Sequence, residues 1–185
     1  MEKLYVSGNQ LLDDSYRLAH QVYESGFEPD FIVGVWRGGT PIGIAVHEYL
    51  DYRGIVSDHC SMRAISYYGI SKRKDLVQVH GLEYLLERLK PEHKVLIVDD
   101  VFETGHTLVA IMNELYKKLG GAVPQNIKLA TVYFKPERNQ TDVTPHYHVT
   151  VTKDWIVFPH ELDGLTEEEI LENKPAVLRD LLSKG

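Results

Sequence analysis

A carboxylate pair followed by a hydroxyl-rich glycine loop is the stretch of this chain best suited to chemistry. Asp99 and Asp100 come directly after an aliphatic run at 95–98, and Thr104, Gly105 and Thr107 follow in one short loop that opens a helix. Backbone N–H groups at a helix start lie unpaired at the positive end of the helix dipole, which favours a phosphate group. Adjacent carboxylates accept hydrogen bonds from vicinal hydroxyls. Each piece alone is typical of an ordinary strand end or a capped turn, but together they predict a site for a ribose 5-phosphate.

A second candidate anion loop lies upstream of the first. An apolar run at 31–35 leads through Trp36 into Arg37, Gly38 and Gly39. In such a turn one guanidinium and glycine-exposed amides can converge on an anion. Thr40 is expected to cap the next helix. Beside the first motif, this turn indicates a second anion-binding loop rather than an ordinary surface turn.

Both stretches match motifs of one known family. The stretch 95–107 resembles the phosphoribosyl diphosphate (PRPP) signature of type I phosphoribosyltransferases, which has four apolar residues, two acidic residues, two variable residues, an acidic or small residue, Thr-Gly, one variable residue and Thr. The loop at 36–39 resembles the family's diphosphate loop, and the match implies a cis peptide bond between Trp36 and Arg37. The PRPP-binding residues that the resemblance implies are Asp99, Asp100, Val101, Phe102, Thr104, Gly105, His106, Thr107, Arg37, Gly38 and Gly39.

Residues late in the chain resemble the purine-reading elements of the 6-oxopurine branch of this family. A lysine ammonium donates to an exocyclic carbonyl but has no acceptor to offer an amino group, so Lys135 favours hypoxanthine, guanine or xanthine over adenine. The resemblance implies that Trp155 stacks on the base and that the main chain at Ile156 and Val157 meets its edge. Without the two loop motifs, these residues would be interpreted as a surface lysine and a core aromatic.

Glu103 is the candidate general base, and Arg37 is the second residue that the resemblance assigns to catalysis, on the departing diphosphate. The family commonly has Asp at the Glu103 position, facing the base nitrogen that exchanges a proton. Glu keeps the carboxylate and adds a methylene, so it can serve only if it reaches hydrogen-bond distance of that nitrogen.

Magnesium is the cofactor that the resemblance implies. A diphosphate leaving group needs its charge neutralised, and oxygen ligands from phosphate, ribose and water suit Mg²⁺. Asp99 and Asp100 would contribute indirectly, and Glu161 or Asp163 is the candidate ligand of a second ion.

Ser66 and Tyr67 resemble the tip of the flexible loop that closes over the reacting centre in this family, here at about 64–80. Such a lid would exclude water while the ribosyl cation is transferred. The alternative interpretation is an ordinary exposed hairpin.

Hydrophobic periodicity gives the elements that must position these residues. It predicts helices at 11–23, 41–50, 82–89 and 108–119, a capping-box helix start at 166–169, and strands at 31–35, 54–65, 95–98, 129–134 and 149–157. Alternating strands and helices predict an α/β fold with a mainly parallel central sheet flanked by helices. The resemblance adds a single domain over residues 1–185, with a small hood from the N-terminal segment and about 145–165 and a lid loop at about 64–80.

Bulk properties narrow the function classes. The chain has 185 residues, 43% hydrophobic and 25% charged, which suits one globular domain. A formal net charge of -7 argues against generic nucleic-acid binding. The single cysteine excludes an internal disulfide framework, and the sequence has no apolar run typical of a signal or membrane segment. We therefore expect a cytoplasmic, soluble protein, and the resemblance implies a homodimer or homotetramer.

The resemblance thus implies transfer of the 5-phosphoribosyl group from PRPP to a 6-oxopurine, which gives a purine nucleoside monophosphate and diphosphate, as in purine salvage. Two alternatives remain open. One is a phosphoribosyltransferase for another nucleobase, and the other is a non-catalytic regulator that senses PRPP or a nucleotide. A nucleic-acid-binding regulator would need a basic face or an added binding segment, and the sequence shows neither.

Overall fold

The described part of the chain falls into two units. A computed structural model describes residues 3–67 and 76–182. The large unit is Asp14–Lys153, and the small unit combines Met1–Asp13 with Asp154–Gly185. The predicted single domain with a hood stays a prediction.

Strands and helices alternate along the chain as predicted. The strands are β1 (Lys3–Tyr5), β2 (Phe31–Trp36), β3 (Asp58–Tyr67), β4 (Leu76–His80), β5 (Lys94–Phe102), β6 (Asn126–Phe134), β7 (Tyr147–Val151) and β8 (Trp155–Val157). The helices are α1 (Gly8–Glu24), α2 (Gly39–Tyr52), α3 (Glu83–Leu86), α4 (His106–Leu119), α5 (Glu167–Asn173) and α6 (Ala176–Leu182).

A six-stranded sheet in the order β4-β3-β2-β5-β6-β7 forms the centre of the large unit. Every neighbouring pair is parallel except the antiparallel hairpin of β3 and β4. The four aliphatic residues at 95–98 are fully buried in β5, as expected for an inner strand of a parallel sheet covered on both faces. The prediction of a mainly parallel α/β sheet is confirmed.

Helices of the large unit bury apolar stripes with helical spacing. In α2, Ile42, Val46 and Leu50 are fully buried at intervals of four residues, and in α4 the buried residues are Leu108, Ile111 and Leu115. Gly43 of α2 lies so close to β2 that an added Cβ would stand 3.4 Å from the Gly34 Cα. This close approach brings the start of α2 against the end of β2.

The small unit contains a two-stranded parallel sheet of β1 and β8, with Lys3 opposite Trp155 and Tyr5 opposite Val157. Helix α5 begins with the predicted capping box between Thr166 and Glu169, which is confirmed. The Glu169 carboxylate also accepts hydrogen bonds from Lys3 and Tyr5, and Lys3, the Thr166 backbone N–H and Tyr5 together lower its pKa to about 2. Glu169 therefore ties β1 to α5.

Several predicted boundaries are wrong. Strand β3 begins at Asp58 rather than 54, because Gly54 adopts a φ of +86° in the turn that follows α2. The stretch 149–157 is divided between β7 and β8, which belong to different sheets. Helix α3 has only 4 residues, although Leu82, Leu85 and Leu89 of the predicted helix are all buried.

The stretch predicted as a lid loop contains strand at both ends. Ser66 and Tyr67 belong to β3 and pair with Val77 and Leu76 of β4. Residues 68–75, the centre of the predicted loop, lie outside the described residues. No helix in residues 3–67 and 76–182 is both long and apolar enough to cross a membrane.

Candidate active site

The candidate active site forms where three neighbouring parallel strands end. Strands β2, β5 and β6 lie side by side, and their last residues are Trp36, Phe102 and Phe134. The segments that follow these residues therefore emerge at the same edge of the sheet. Open α/β sheets bind ligands at this edge.

The Arg-Gly-Gly turn lies directly against the carboxylate pair. A Cβ added to Gly38 would overlap the Asp100 carboxylate, and one added to Gly39 would stand 2.8 Å from the Asp99 Cα. Only glycine permits this approach. The peptide bond between Trp36 and Arg37 is cis, as the resemblance implies, and Arg37 is exposed. The two sequence motifs are thus parts of one site.

Asp99 and Asp100 form a carboxylate doublet at the end of β5. The Asp100 backbone N–H donates to Asp99 Oδ1 at 2.9 Å, and the Val101 N–H donates to Asp100 Oδ1 at 2.7 Å. Burial, and then the nearby charge of Asp100, raise the pKa of Asp99 well above its usual value. Hydroxyl donors or a cation would stabilise the ionised form of this doublet, so it is suited to such a ligand.

The loop at 103–107 forms the N-terminal end of α4. Gly105 caps the helix with a φ of +82°, and a Cβ there would stand 2.9 Å from the Phe102 ring. The His106 N–H donates to Thr104 Oγ1 at 3.4 Å. Because first-turn amides have no partner within a helix, this loop presents donors at the positive end of the α4 dipole. It can therefore bind an anion.

The segment after β6 supports this loop. The Gln140 N–H donates to the Thr104 carbonyl at 3.1 Å, and Gln140 Oε1 lies 3.0 Å from His106 Nε2. The Lys135 N–H donates to the Phe102 carbonyl at 2.9 Å. Contacts to the 135–141 segment therefore fix both ends of the loop at 103–107.

Glu103 lies between two cations from the same segment. Its Oε2 is 3.6 Å from Lys135 Nζ, and its Oε1 accepts a hydrogen bond from Arg138. The Lys135 side chain is only 5% exposed, whereas those of Glu103 and Arg138 are 33% and 40% exposed. The site thus contains a buried ammonium close to a carboxylate.

Sequence reasoning missed Arg138, although the available pattern was Lys-Pro-x-Arg. A 3₁₀ turn at Pro136–Arg138 follows Lys135, and the Arg138 N–H donates to the Lys135 carbonyl at 3.1 Å. Residues three apart in such a turn lie on the same side. The turn therefore brings both cations to Glu103.

Two buried threonine hydroxyls were not among the predicted site groups. Thr40 and Thr131 have buried Oγ1 atoms with no hydrogen-bond partner within the described ranges. Thr40 does not cap α2, whose N-cap is Gly38 without a side-chain bond, so that prediction is wrong. Thr131 is fully buried in β6 and pairs in register with Asp99.

The remaining predicted site residues belong to other elements. Trp155, Ile156 and Val157 form β8 of the small unit, where Trp155 is 56% exposed and the other two are buried. Glu161 Oε2 accepts from the Phe158 N–H at 3.0 Å, and Asp163 is exposed. No cluster of three or more His, Cys, Asp or Glu side chains able to hold a metal occurs in residues 3–67 and 76–182.

Comparison with known proteins gives the family. The family model for the phosphoribosyl transferase domain matches residues 5–164. A purine phosphoribosyltransferase from Pyrococcus horikoshii is 32% identical with a TM-score of 0.69, over 90% of this chain and 99% of that one. The xanthine-guanine-hypoxanthine phosphoribosyltransferase of Helicobacter pylori shares the fold at 20% identity, with a TM-score of 0.68 over 98% and 99% of the two chains.

A curated sequence relative matches a shorter stretch. The adenine phosphoribosyltransferase of Shewanella denitrificans is 43% identical over 58 residues, which span 28% of this chain and 31% of that protein. The family match covers most of the chain and includes the doublet, the loop before α4 and the Arg-Gly-Gly turn. This chain therefore belongs to the type I phosphoribosyltransferase family of enzymes.

Proposed function

We propose that this enzyme transfers the 5-phosphoribosyl group of PRPP to a 6-oxopurine base, releasing a purine nucleoside monophosphate and diphosphate. The observation that carries the choice of acceptor is the pair formed by Lys135 and Glu103, whose Nζ and Oε2 lie 3.6 Å apart. A donor next to an acceptor matches a base edge with a carbonyl oxygen beside a ring N–H. Adenine has an amino group in place of that carbonyl, which the ammonium cannot pair with.

The donor, PRPP, would bind across the three strand ends. In the proposed complex, the loop at 103–107 binds the 5-phosphate through its amides and the hydroxyls of Thr104 and Thr107. Asp99 and Asp100 accept hydrogen bonds from the ribose hydroxyls. The Arg37 guanidinium and the amides of the Arg-Gly-Gly turn bind the diphosphate. The direct packing of Gly38 on Asp100 supports this arrangement, because it brings the two anion loops together.

The transfer exchanges one bond at the ribose carbon for another. A ring nitrogen of the base forms the new bond to that carbon while the bond to the diphosphate oxygen breaks and its electron pair leaves with the diphosphate. The base must lose a proton, and the Glu103 carboxylate accepts it as general base. Lys135 stabilises the negative charge that develops on the carbonyl oxygen.

The residues present fit a magnesium ion that is bound mainly by the substrate. A doublet in which burial and mutual repulsion raise the pKa of Asp99 is stabilised by positive charge nearby. Because the described residues contain no metal-binding cluster, most ligands would come from PRPP oxygens and water, as Mg²⁺ prefers. When bound, the ion would neutralise charge on the departing diphosphate. Glu161, which already accepts from the Phe158 N–H, and Asp163 are the candidate ligands of a second ion.

A second acceptor, adenine, is favoured by the match to an adenine phosphoribosyltransferase over 58 residues. The stacking role of Trp155, the edge contacts at Ile156 and Val157 and the lid role of Ser66 and Tyr67 stay predictions from the resemblance. The same holds for the cytoplasmic location and the homodimeric or homotetrameric state.

The experiment is a base screen with purified protein, PRPP and Mg²⁺, in which each nucleoside monophosphate is separated and quantified. Hypoxanthine, guanine, xanthine, adenine and uracil are compared. We expect product with one or more 6-oxopurines and little with the others. Product formed fastest from adenine would favour the second candidate, and PRPP binding without any product would indicate a non-catalytic sensor.

Two variants separate the proposed roles. Glu103→Ala should lower kcat by about 100-fold or more, as expected for loss of a general base, and leave the Kd for PRPP nearly unchanged. Asp100→Asn should instead weaken PRPP binding measured by calorimetry. Equal effects of the two variants on kcat and on Kd would contradict these roles.

A further inference from the structure

We infer that Arg138 is a positioning residue that holds the Glu103 carboxylate and thereby leaves Lys135 available to the base. The inference rests on the proposed function. The two cations, Arg138 and Lys135, contact Glu103 at different distances. Arg138 donates directly to Glu103 Oε1, whereas Lys135 Nζ lies 3.6 Å from Oε2, beyond hydrogen-bond distance.

Glu103 has two cationic neighbours, Arg138 and Lys135. An arginine guanidinium keeps its proton at any pH the protein experiences, so Arg138 is a permanent partner for the carboxylate. The Lys135 ammonium is buried and close to the same carboxylate. If Arg138 were absent, Glu103 would have Lys135 as its nearest cation, and we expect their 3.6 Å ion pair to shorten to a hydrogen-bonded one.

A shorter pair of Glu103 and Lys135 would change the proposed acceptor site. A hydrogen-bonded pair would turn one Lys135 N–H and Glu103 Oε2 toward each other and away from the base edge. A base would then have to break the pair before it could bind. By holding Oε1, Arg138 keeps the carboxylate from closing on Lys135 and leaves Oε2 on the Lys135 side.

Arg138 also restricts the motion of the Glu103 side chain. A glutamate side chain has one more rotatable bond than aspartate, so an untethered Glu103 would lose more conformational entropy when it orders against a base. Arg138 lies in the 3₁₀ turn Pro136–Arg138, which two backbone hydrogen bonds close, Arg138 N–H to Lys135 at 3.1 Å and Asn139 N–H to Pro136 at 3.2 Å. The tether therefore comes from an ordered segment.

The test is a double-mutant cycle on steady-state transfer to the best base of the screen. The variants are Arg138→Gln, Arg138→Lys, Glu103→Gln and the double Arg138→Gln/Glu103→Gln. Glu137→Gln is the matched control, because it changes the charge of an exposed neighbour in the same turn. Thermal unfolding of each variant shows whether it is folded, and Arg138→Lys carries the test if Arg138→Gln fails to fold.

We expect Arg138→Gln to lower kcat by about tenfold and to raise the KM for the base, while the KM for PRPP changes less than about twofold. Arg138→Lys should recover part of kcat, because it restores the charge without the planar fork. In the Glu103→Gln background, Arg138→Gln should change kcat by less than about twofold, since the group it positions is already gone. Glu137→Gln should behave as the unmodified protein.

Three results would overturn the inference. The first is full additivity of the two substitutions, which would mean that Arg138 acts independently of Glu103. The second is a rise in the KM for PRPP with kcat unchanged, which would place Arg138 on the donor. The third is the absence of transfer to any base by the unmodified protein, which would overturn the proposed function as well, whereas the first two leave that function standing.

Discussion

At the scale of single residues, Asp99 shows a conflict between stability and function. Burial and the charge of Asp100 raise its pKa in the folded state, so holding this side chain ionised costs the folded protein free energy. A ligand that supplies hydroxyl donors or positive charge would relieve this effect. Destabilising groups of this kind are characteristic of binding and catalytic sites.

We predict that Asp99→Asn raises the Tm of the free protein at pH 7.5 and weakens PRPP binding. Because the folded-state pKa of Asp99 is raised, the gain is largest above that pKa and disappears as pH falls toward the usual value of 3.8, where the wild-type side chain is also neutral. Thermal unfolding at several pH values and calorimetry with PRPP measure the two effects. The exposed residue Asp13 gives the control Asp13→Asn, and a Tm that falls at pH 7.5 would contradict the account.

In the proposed function, the choice of base depends on Lys135. We predict that Lys135→Gln lowers kcat/KM for a 6-oxopurine between about tenfold and about 100-fold, the usual range for loss of a charged hydrogen bond. The reaction with adenine, which we expect to be slow, should change little. Product assays with both bases give the ratio, and Lys118→Gln, at the exposed end of α4, is the control. A proportional loss with both bases would show that Lys135 does not select between them.

At the scale of elements, the alternation of strands and helices could be predicted because each has a strong local pattern. The aliphatic run of β5 ends at Asp99 and Asp100, and the buried stripe of α4 ends before Gly120, so their placement needs no knowledge of distant contacts. The carboxylate doublet and the loop at 103–107 join these two elements, and their position at the sheet edge follows from the order of the elements.

Features set by distant contacts could not be predicted. Strands β1 and β8 have only 3 residues each and pair across most of the chain, which leaves too little pattern to find them. Arg138 reaches Glu103 only because the 3₁₀ turn lies against the loop before α4. The cis bond after Trp36 followed from the family resemblance, since nothing in the residue chemistry indicates it.

Packing between the two loops gives a prediction at this scale. Gly38→Ala would drive a Cβ into the Asp100 carboxylate, so either that side chain or the Arg-Gly-Gly turn must move. We expect the affinity for PRPP to fall by at least about tenfold, or about 1.4 kcal/mol. Calorimetry measures the change.

Gly121→Ala is the matched control, because nothing lies within 4 Å of a Cβ added there. It should bind PRPP as the unmodified protein does. An unchanged affinity in Gly38→Ala would show that contact between the loops does not shape the donor site.

At the scale of the whole molecule, the net charge of the protein has the same sign as the charge of the proposed donor. The chain has a formal net charge of -7, and the proposed donor is itself highly anionic. Binding must therefore come from local donors, namely the α4 amides and Arg37, rather than from the overall field of the protein. All residues proposed to bind PRPP belong to the large unit, Asp14–Lys153.

The most direct test of this account is a crystal structure of the protein with PRPP and Mg²⁺. We predict the 5-phosphate at the loop 103–107, the ribose hydroxyls at Asp99 and Asp100, and the diphosphate at Arg37 and its glycines. The central claim is that one site at the strand ends binds both the sugar and the leaving group. It would be contradicted if PRPP bound at another edge of the sheet, or if its phosphate and diphosphate bound in exchanged positions.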